Sequence, residues 1–236
     1  LFRSYEWRGR LLSISPAAQS EVVPNGVPLP DLEAPRRLED REPTLLFVGD
    51  LTRAKGVFDL IRAFARIAPR FPRVRLTLVG GEPAPALRRL LAESGVQERV
   101  ACPGWLGPRR LRAELAGAAF FALPSYAEGM PMALLEAMSW ELPVIATPVG
   151  GVPQVIEHGK NGLLVAPGDI DGTAAAIARL ILEPALRQSL GTAARRTIAT
   201  RFSLEATLDR LASVYRRFGL EPQIPVPRPE TSRLVG

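Results

Sequence analysis

The sequence predicts an α/β fold: a Rossmann-like parallel sheet with helices on both faces and a helical C-terminal end. Three observations lead there. Short apolar runs such as Leu45–Val48 and Phe120–Leu123 read as buried strands, because they lack the alternation of a half-solvated strand. Between them lie segments whose apolar residues recur at helical spacing, and strands alternating with helices build βαβ units around a parallel sheet. Beyond Asp169 the strand pattern stops and helical patterns continue to about Phe218.

The elements follow in order. Residues 1–20 mix aromatic, Arg and apolar residues, Tyr5 and Trp7 among them, without a clean period. The chain opens on Leu1 in mid-pattern, as a piece of a longer protein would. Residues 25–43 are turn-rich and charged, with Asn25-Gly26 as a strong turn signal, and read as an inter-domain linker. Leu45–Val48 is then a strand, and Val57, Leu60, Ile61, Phe64 and Ala68 keep a helical stripe. Val74–Val79 is a strand closing on Gly80-Gly81, and Ala86–Glu93 a helix. Val100 begins a short strand, Leu111–Leu115 form a short helix, and Phe120–Leu123 a strand. Pro131 has the fixed φ of a first helical turn, so a helix is expected from there to about Trp140. Val144–Ala146, a short helix near Gln154–Glu157 and Leu163–Val165 complete the sheet region. Asp171 is expected to cap a helix with an apolar face from Ala174 to Leu182. Pro184 starts another, reaching about Arg201. Ser203 opens the last, with Leu204, Leu208, Leu211 and Tyr215 on one face. The Pro-rich tail over 220–236 is expected to be disordered.

Composition narrows the function. Of 236 residues 47% are apolar, enough for a sizeable core in one large domain or two small ones. A net charge of +6 would permit nucleic acid, an anionic surface or phosphorylated ligands. No aromatic residues interleave with the basic ones and no nucleic-acid motif occurs, so the charges read as solvated helix faces and no nucleic-acid partner is expected. Lysine occurs only at 55 and 160, which singles out Lys55-Gly56 between a strand and a helix. A compact ammonium there suits a phosphate oxygen. Cys102 is the single cysteine, so no disulfide forms within the chain, which fits a reducing compartment. His158, the single histidine, sits in a turn and reads as solvated; no ligand cluster points to a metal. No apolar stretch approaches the roughly 20 residues of a membrane span. There is neither a Gly-x-Gly-x-x-Gly after a strand nor a Walker A sequence, which argues against a dehydrogenase or a phosphate-loop NTPase.

The segment from Glu128 to Glu136 carries the most chemistry. It follows a buried strand, so Glu128 falls on the loop at the strand's C-terminal edge and Glu136 on the first turns of the next helix. Ligands of open α/β sheets bind outside that edge. Each ionised carboxylate accepts only, which suits a ligand rich in hydroxyls. The exposed N–H groups of the helix start suit a phosphate nearby.

Glu128, seven residues and Glu136, preceded by Pro124-Ser125 and followed by Ala137-Met138 and Pro143-Val-Ile-Ala-Thr147, resemble the donor-binding half of retaining glycosyltransferases of family 4, which have the GT-B fold. Val23-Pro-Asn-Gly-Val27 is similar to the junction between the two GT-B domains, and Phe47 to Gly56 to the first strand and phosphate loop. Val149 to Gln154, Gly159 to Val165 and Pro167-Gly-Asp169 resemble the last strand–loop segments. The resemblance spans Val23 to Phe218. It implies that residues 1–24 are the remnant of an N-terminal acceptor domain and that 44–219 are the donor-binding domain. It implies an enzyme that transfers a hexose, with retention, from a nucleotide diphosphate sugar to a hydroxyl acceptor, glycan or lipid-linked, as in polysaccharide biosynthesis. No cofactor is implied beyond that donor. The setting implied is cytoplasmic, compatible with peripheral contact at the inner face of a membrane. Lys55 and Glu128 would act at the reaction centre. Lys55 and Arg53 would hold the diphosphate, Glu136 the ribose, and Glu128 with Gly129 and Met130 the donor sugar, with Gly49 also among the donor-binding residues. The base would rest near Gly104, Trp105 and Leu106, beside Leu135.

Two departures from the family pattern stand out. Asp50 occupies the place of an Arg after the first glycine of the phosphate loop, with Arg53 nearby as a substitute. Met130-Pro131 replaces Phe-Gly, which removes one backbone N–H. Three alternatives stay open at this stage: a sugar-nucleotide epimerase of GT-B type, a catalytically silent sugar-nucleotide-binding module, and a flavodoxin-like binding domain whose glutamates are merely solvated. The last helix, with its apolar stripe, would dock on the domain this chain does not contain.

Overall fold

The computed structural model describes residues 5–16, 20–32 and 43–220. The expected tail from 221 onward and linker residues 33–42 lie outside the described residues. Six parallel strands form one sheet in the order β3-β2-β1-β4-β5-β6. They are β1 (Thr44–Val48), β2 (Arg75–Val79), β3 (Val100–Gly104), β4 (Phe120–Leu123), β5 (Val144–Ala146) and β6 (Leu163–Leu164). The first three step outward in one direction. The chain then returns across the sheet to place β4 beside β1, and β5 and β6 step outward the other way.

Right-handed crossovers put α2 (Val57–Ile67) and α3 (Pro85–Glu93) on one face, and α4 (Pro108–Gly117) and α5 (Met132–Ser139) on the other. After β6, α6 (Ile170–Leu182) packs on α2, and α7 (Pro184–Arg201) on α5. Helices thus cover both faces, as expected. Phe47, Phe120 and Phe121 from the central strands and Phe64 from α2 are fully buried, because a central parallel strand has no wet side. Among the described residues no helix is long and apolar enough to cross a membrane.

Several boundaries differ from the sequence expectation. α5 begins at Met132, and Pro131 is its N-cap, with ψ 112°. α6 is capped by Asp169, whose Oδ1 accepts the Gly172 N–H at 2.7 Å. Asp171 lies instead in the first turn and pairs with Arg66 of α2. The short helix expected near Gln154–Glu157 is a single 3₁₀ turn at Val152–Gln154. Asn161 explains its brevity. Its side chain accepts the Glu157 N–H and donates to the Val155 carbonyl, taking groups that a continuing helix would use. The turn also holds His158 more firmly than a solvated ring: the exposed imidazole accepts the Leu164 N–H through Nδ1 at 3.0 Å.

Two segments without a clear sequence pattern are ordered. Tyr5–Ile14 form α1. The first part of the expected linker is a strap docked on the C-terminal helices. Val27, 0% exposed, exchanges backbone hydrogen bonds with Phe202 and Leu204, and Arg195 donates to the Pro30 carbonyl at 2.7 Å. The last helix, α8 (Leu204–Arg217), is capped by Ser203 as expected, with Ala206 N–H donating to its Oγ. Leu204 and Leu208 stay exposed on it, while Val214 is buried.

Candidate functional site

The strand order reverses between β1 and β4, and the crevice opens at their C-terminal ends. The loop after β1 carries Lys55, and the loop after β4 carries Glu128. Their side chains meet there. Lys55 Nζ donates to Glu128 Oε1 at 2.8 Å and to Oε2 at 2.9 Å. The Glu128 side chain is only 5% exposed and that of Lys55 30%, so the carboxylate forms the floor and the ammonium faces the opening. Ser125 Oγ donates to Glu128 Oε1 at 2.6 Å.

The two loops are fastened to each other. Tyr126 N–H donates to the Ala54 carbonyl at 2.8 Å, and Tyr126 OH to Asp59 Oδ2 of α2 at 2.7 Å. Gly56 has φ +70°, and a Cβ there would fall 1.9 Å from the Pro124 carbonyl oxygen. Only glycine lets the β1 loop press so closely on the end of β4. Gly150, after β5, is held in the same way. Its φ is +53°, and a Cβ would lie 1.7 Å from the Glu128 carbonyl oxygen. The next residue, Gly151, donates its N–H to the Gly129 carbonyl at 2.6 Å.

Glu136 lies apart from this pair. It lines a groove of about 470 Å³ between α4 and α5, with Pro108, Leu111 and Arg112 on one wall and Leu29 and Pro30 of the strap beside it. Among the described residues nothing donates to its carboxylate. Burial alone pushes its pKa up, because a carboxylate with less water around it resists ionisation. An acceptor with no partner among the described residues, at the wall of a groove, is ready for a ligand's donor groups.

The other expected residues fall in varied places. Arg53 is exposed, with its guanidinium stacked 4.2 Å over the Phe58 ring. The Gly49 N–H donates to the Val79 carbonyl at 2.9 Å, which ties the start of the loop to the end of β2. Asp50 is exposed beside it. Gly129 is exposed in the crevice loop, while Met130 is buried, 8% exposed. Leu135, expected beside the base, is 0% exposed and belongs to the core face of α5, so its side chain does not line the cleft. Trp105 is 65% exposed just past β3, near Gly81 of the neighbouring strand end. Cys102 is half-buried, and burial first, then the nearby Glu82 carboxylate, pushes its thiol pKa up.

Sequence reasoning quoted Ser125 and Thr147 as part of the family pattern without giving them a role, and missed Tyr126 and Asp59. The signal for Ser125 was present: a small hydroxyl three residues before a glutamate at a strand end. Thr147 adds to it by donating through Oγ1 to the Ser125 carbonyl.

Comparison with known proteins places this arrangement in a family. The family model for glycosyl transferases group 1 matches residues 42–183. The alpha-D-kanosaminyltransferase of Streptomyces kanamyceticus is 33% identical over 184 residues, covering 78% of this chain and 47% of that protein. The solved sucrose-phosphate synthase of Thermosynechococcus elongatus superposes with a TM-score of 0.79 at 31% identity, over 92% of this chain and 57% of that one. The C-terminal domain of a glycosyl transferase group 1 family protein from Francisella tularensis shares the fold, with a TM-score of 0.65 at 19% identity, over 86% of this chain and 93% of that domain. The chain spans about half the length of the curated relatives it matches. It belongs to the glycosyl transferases group 1 family.

Proposed function

We propose that this chain is the donor-binding part of a retaining hexosyltransferase of GT-B type, resembling family 4, that uses a nucleotide diphosphate sugar. The observation that carries the reading is the Lys55–Glu128 pair at the point where the strand order reverses, together with Glu136, which has no partner among the described residues and lines a groove between α4 and α5. An ammonium suits a diphosphate, and a carboxylate free to accept suits a ribose diol. The similarity of the chain's fold to a domain described as C-terminal supports the partial role, as does the exposed apolar side of α8.

In this reading Lys55, helped by Arg53, holds the diphosphate and stabilises the charge that develops as it leaves. Glu136 takes the ribose hydroxyls. Glu128 with Gly129 and Met130 takes the donor sugar. The base rests against Trp105 and Leu106, with α4 and α5 forming the walls. Retention follows if the departing diphosphate assists attack by the acceptor hydroxyl on the same sugar face. The acceptor, a glycan or a lipid-linked hydroxyl, would be bound by the portion of the relatives' length that this chain does not span. The leaving group does the activation, so the reaction as proposed calls for no cofactor. A cytoplasmic setting, at or near the inner face of a membrane, agrees with an activated nucleotide donor.

The test is a calorimetric panel of UDP-, GDP- and ADP-sugars against the chain. Binding of one class that is lost in Glu136→Ala, with the fold intact by circular dichroism, supports the assignment. Binding of none of them contradicts it. Asp50, in the place of a cation, favours a second reading as a catalytically silent sugar-nucleotide-binding module. Hydrolysis of the bound donor by a protein carrying the upstream region separates the two, since a silent module releases no sugar.

A further inference from the structure

We propose that Ser125 is a positioning residue that acts on the donor through Glu128 and Lys55, an inference that rests on the donor-binding reading above. Ser125 is 0% exposed, so its hydroxyl meets neither solvent nor ligand. Its proton goes to Glu128 Oε1 at 2.6 Å, on the oxygen that also accepts from Lys55. A carboxylate oxygen offers two lone-pair sites, so Oε1 is filled. Among the described residues Oε2 accepts only from Lys55, which leaves one of its sites free.

The hydroxyl therefore decides which carboxylate oxygen faces the crevice. It leaves Oε2 as the oxygen able to receive a hydroxyl of the donor sugar. It also fixes the ammonium. An ammonium has three N–H groups, and the two directed at Glu128 leave a third for a phosphate oxygen. Ser125 is itself held by β5, because buried Thr147 donates to its carbonyl. The backbone of the Glu128 loop is held by Gly150 and Gly151. Without the hydroxyl, the carboxylate regains rotation about its side-chain bonds and Lys55 follows it. A site that must be set before the donor arrives would then be set only on binding.

The test uses wild type, Ser125→Ala, Lys55→Ala and the double variant, each titrated with UDP, GDP and ADP. Loss of a charge-assisted hydrogen bond predicts about three- to tenfold weaker binding of the preferred diphosphate in Ser125→Ala. That loss should vanish in the Lys55→Ala background. A second readout needs no ligand. Lys55 and Lys160 are the only lysines, so acetylation by a succinimidyl ester is read separately at each by mass spectrometry. Ser125→Ala should label Lys55 faster, with Lys160 unchanged. If Ser125→Ala does not fold, Ser125→Cys, similar in size but a weaker donor, should show a smaller loss of the same pattern. Equal losses in both backgrounds, or unchanged Lys55 labelling, would show a purely structural hydroxyl and overturn the proposal. Wild type that binds diphosphate as Ser125→Ala does overturns the Ser125 assignment alone. Wild type that binds none of the three overturns the donor-binding reading with it.

Discussion

Replacing Lys55 by Met tests whether the ion pair holds the site together as well as binding a ligand. Met keeps an unbranched apolar stem and removes the ammonium. Among the described residues Glu128 then sits 5% exposed with only the Ser125 hydroxyl donating to it. Removing one partner of a fully buried pair costs roughly 3–5 kcal/mol, mostly the cost of the orphaned charge. Here Lys55 is 30% exposed, so water reaches the gap and the cost falls to about 1.5–3 kcal/mol. For a chain of this size that is about 3–12 °C in Tm. Adding Glu128→Gln to Lys55→Met removes the orphaned charge while keeping an acceptor for Ser125. The double variant should regain more than half of the lost stability and still fail to bind a nucleoside diphosphate. Urea and thermal melts of the four proteins, with calorimetry for binding, measure both effects. A Lys55→Met protein as stable as wild type, or a double variant less stable than Lys55→Met, would refute the reasoning.

Other outcomes follow from the same geometry. Glu136→Gln should weaken binding of the preferred diphosphate by about 1.5–3 kcal/mol, tenfold or more, by calorimetry; unchanged affinity would remove Glu136 from the site. The same variant should change the pH dependence of stability. Burial raises the folded-state pKa of Glu136, so the folded protein binds the proton more tightly than the unfolded chain. That contribution is full below the unfolded value and is lost as pH rises through the folded one. Glu136→Gln should therefore gain stability relative to wild type on going from acid to neutral pH, and a constant difference in urea melts would contradict this. Gly150→Ala must place a Cβ 1.7 Å from the Glu128 carbonyl at φ +53°, and should lose at least about 2 kcal/mol together with donor binding; a loss under about 0.5 kcal/mol would show a loop free to shift. The chain alone should bind a donor without transferring its sugar, since positioning an acceptor is worth up to about 7–11 kcal/mol of barrier. Acceptor-dependent turnover by the isolated chain would overturn the two-part reading.

The strands were legible because central parallel strands are buried on both faces, so Phe120–Leu123 appears as an unbroken apolar run. The helix starts at Pro184 and Ser203 were legible because Pro and Ser have local reasons to sit there. The cap of α6 was misplaced because Asp169 and Asp171 are both good capping residues, and only the fold shows which one meets the Gly172 N–H. The docking of Val27 on Phe202 and Leu204 had no local sign, since it depends on the far end of the chain coming back. The site divides in the same way. Glu128, Glu136 and Lys55 stood out by residue type and by the elements around them. That Lys55 and Glu128 meet could not be read from spacing, because 73 residues separate them and only the reversal of strand order joins their loops. Leu135 was misplaced because which face of α5 is buried depends on packing against the sheet and α7, not on its neighbours in sequence.

In the proposed function a nucleotide sugar sits across the ends of β1 and β4 with its nucleoside between α4 and α5. Hydrogen–deuterium exchange of the chain, with and without the tightest-binding donor from the UDP-, GDP- and ADP-sugar panel, tests this most directly. Slowed exchange is expected in three stretches: 50–57 around Lys55, 104–112 around Trp105 and 125–137 around the two glutamates. The polar groove formed by Glu157, Lys160 and Arg196 should remain unchanged. Protection confined to that groove or to the α8 surface, with none around Lys55 and Glu128, would contradict it.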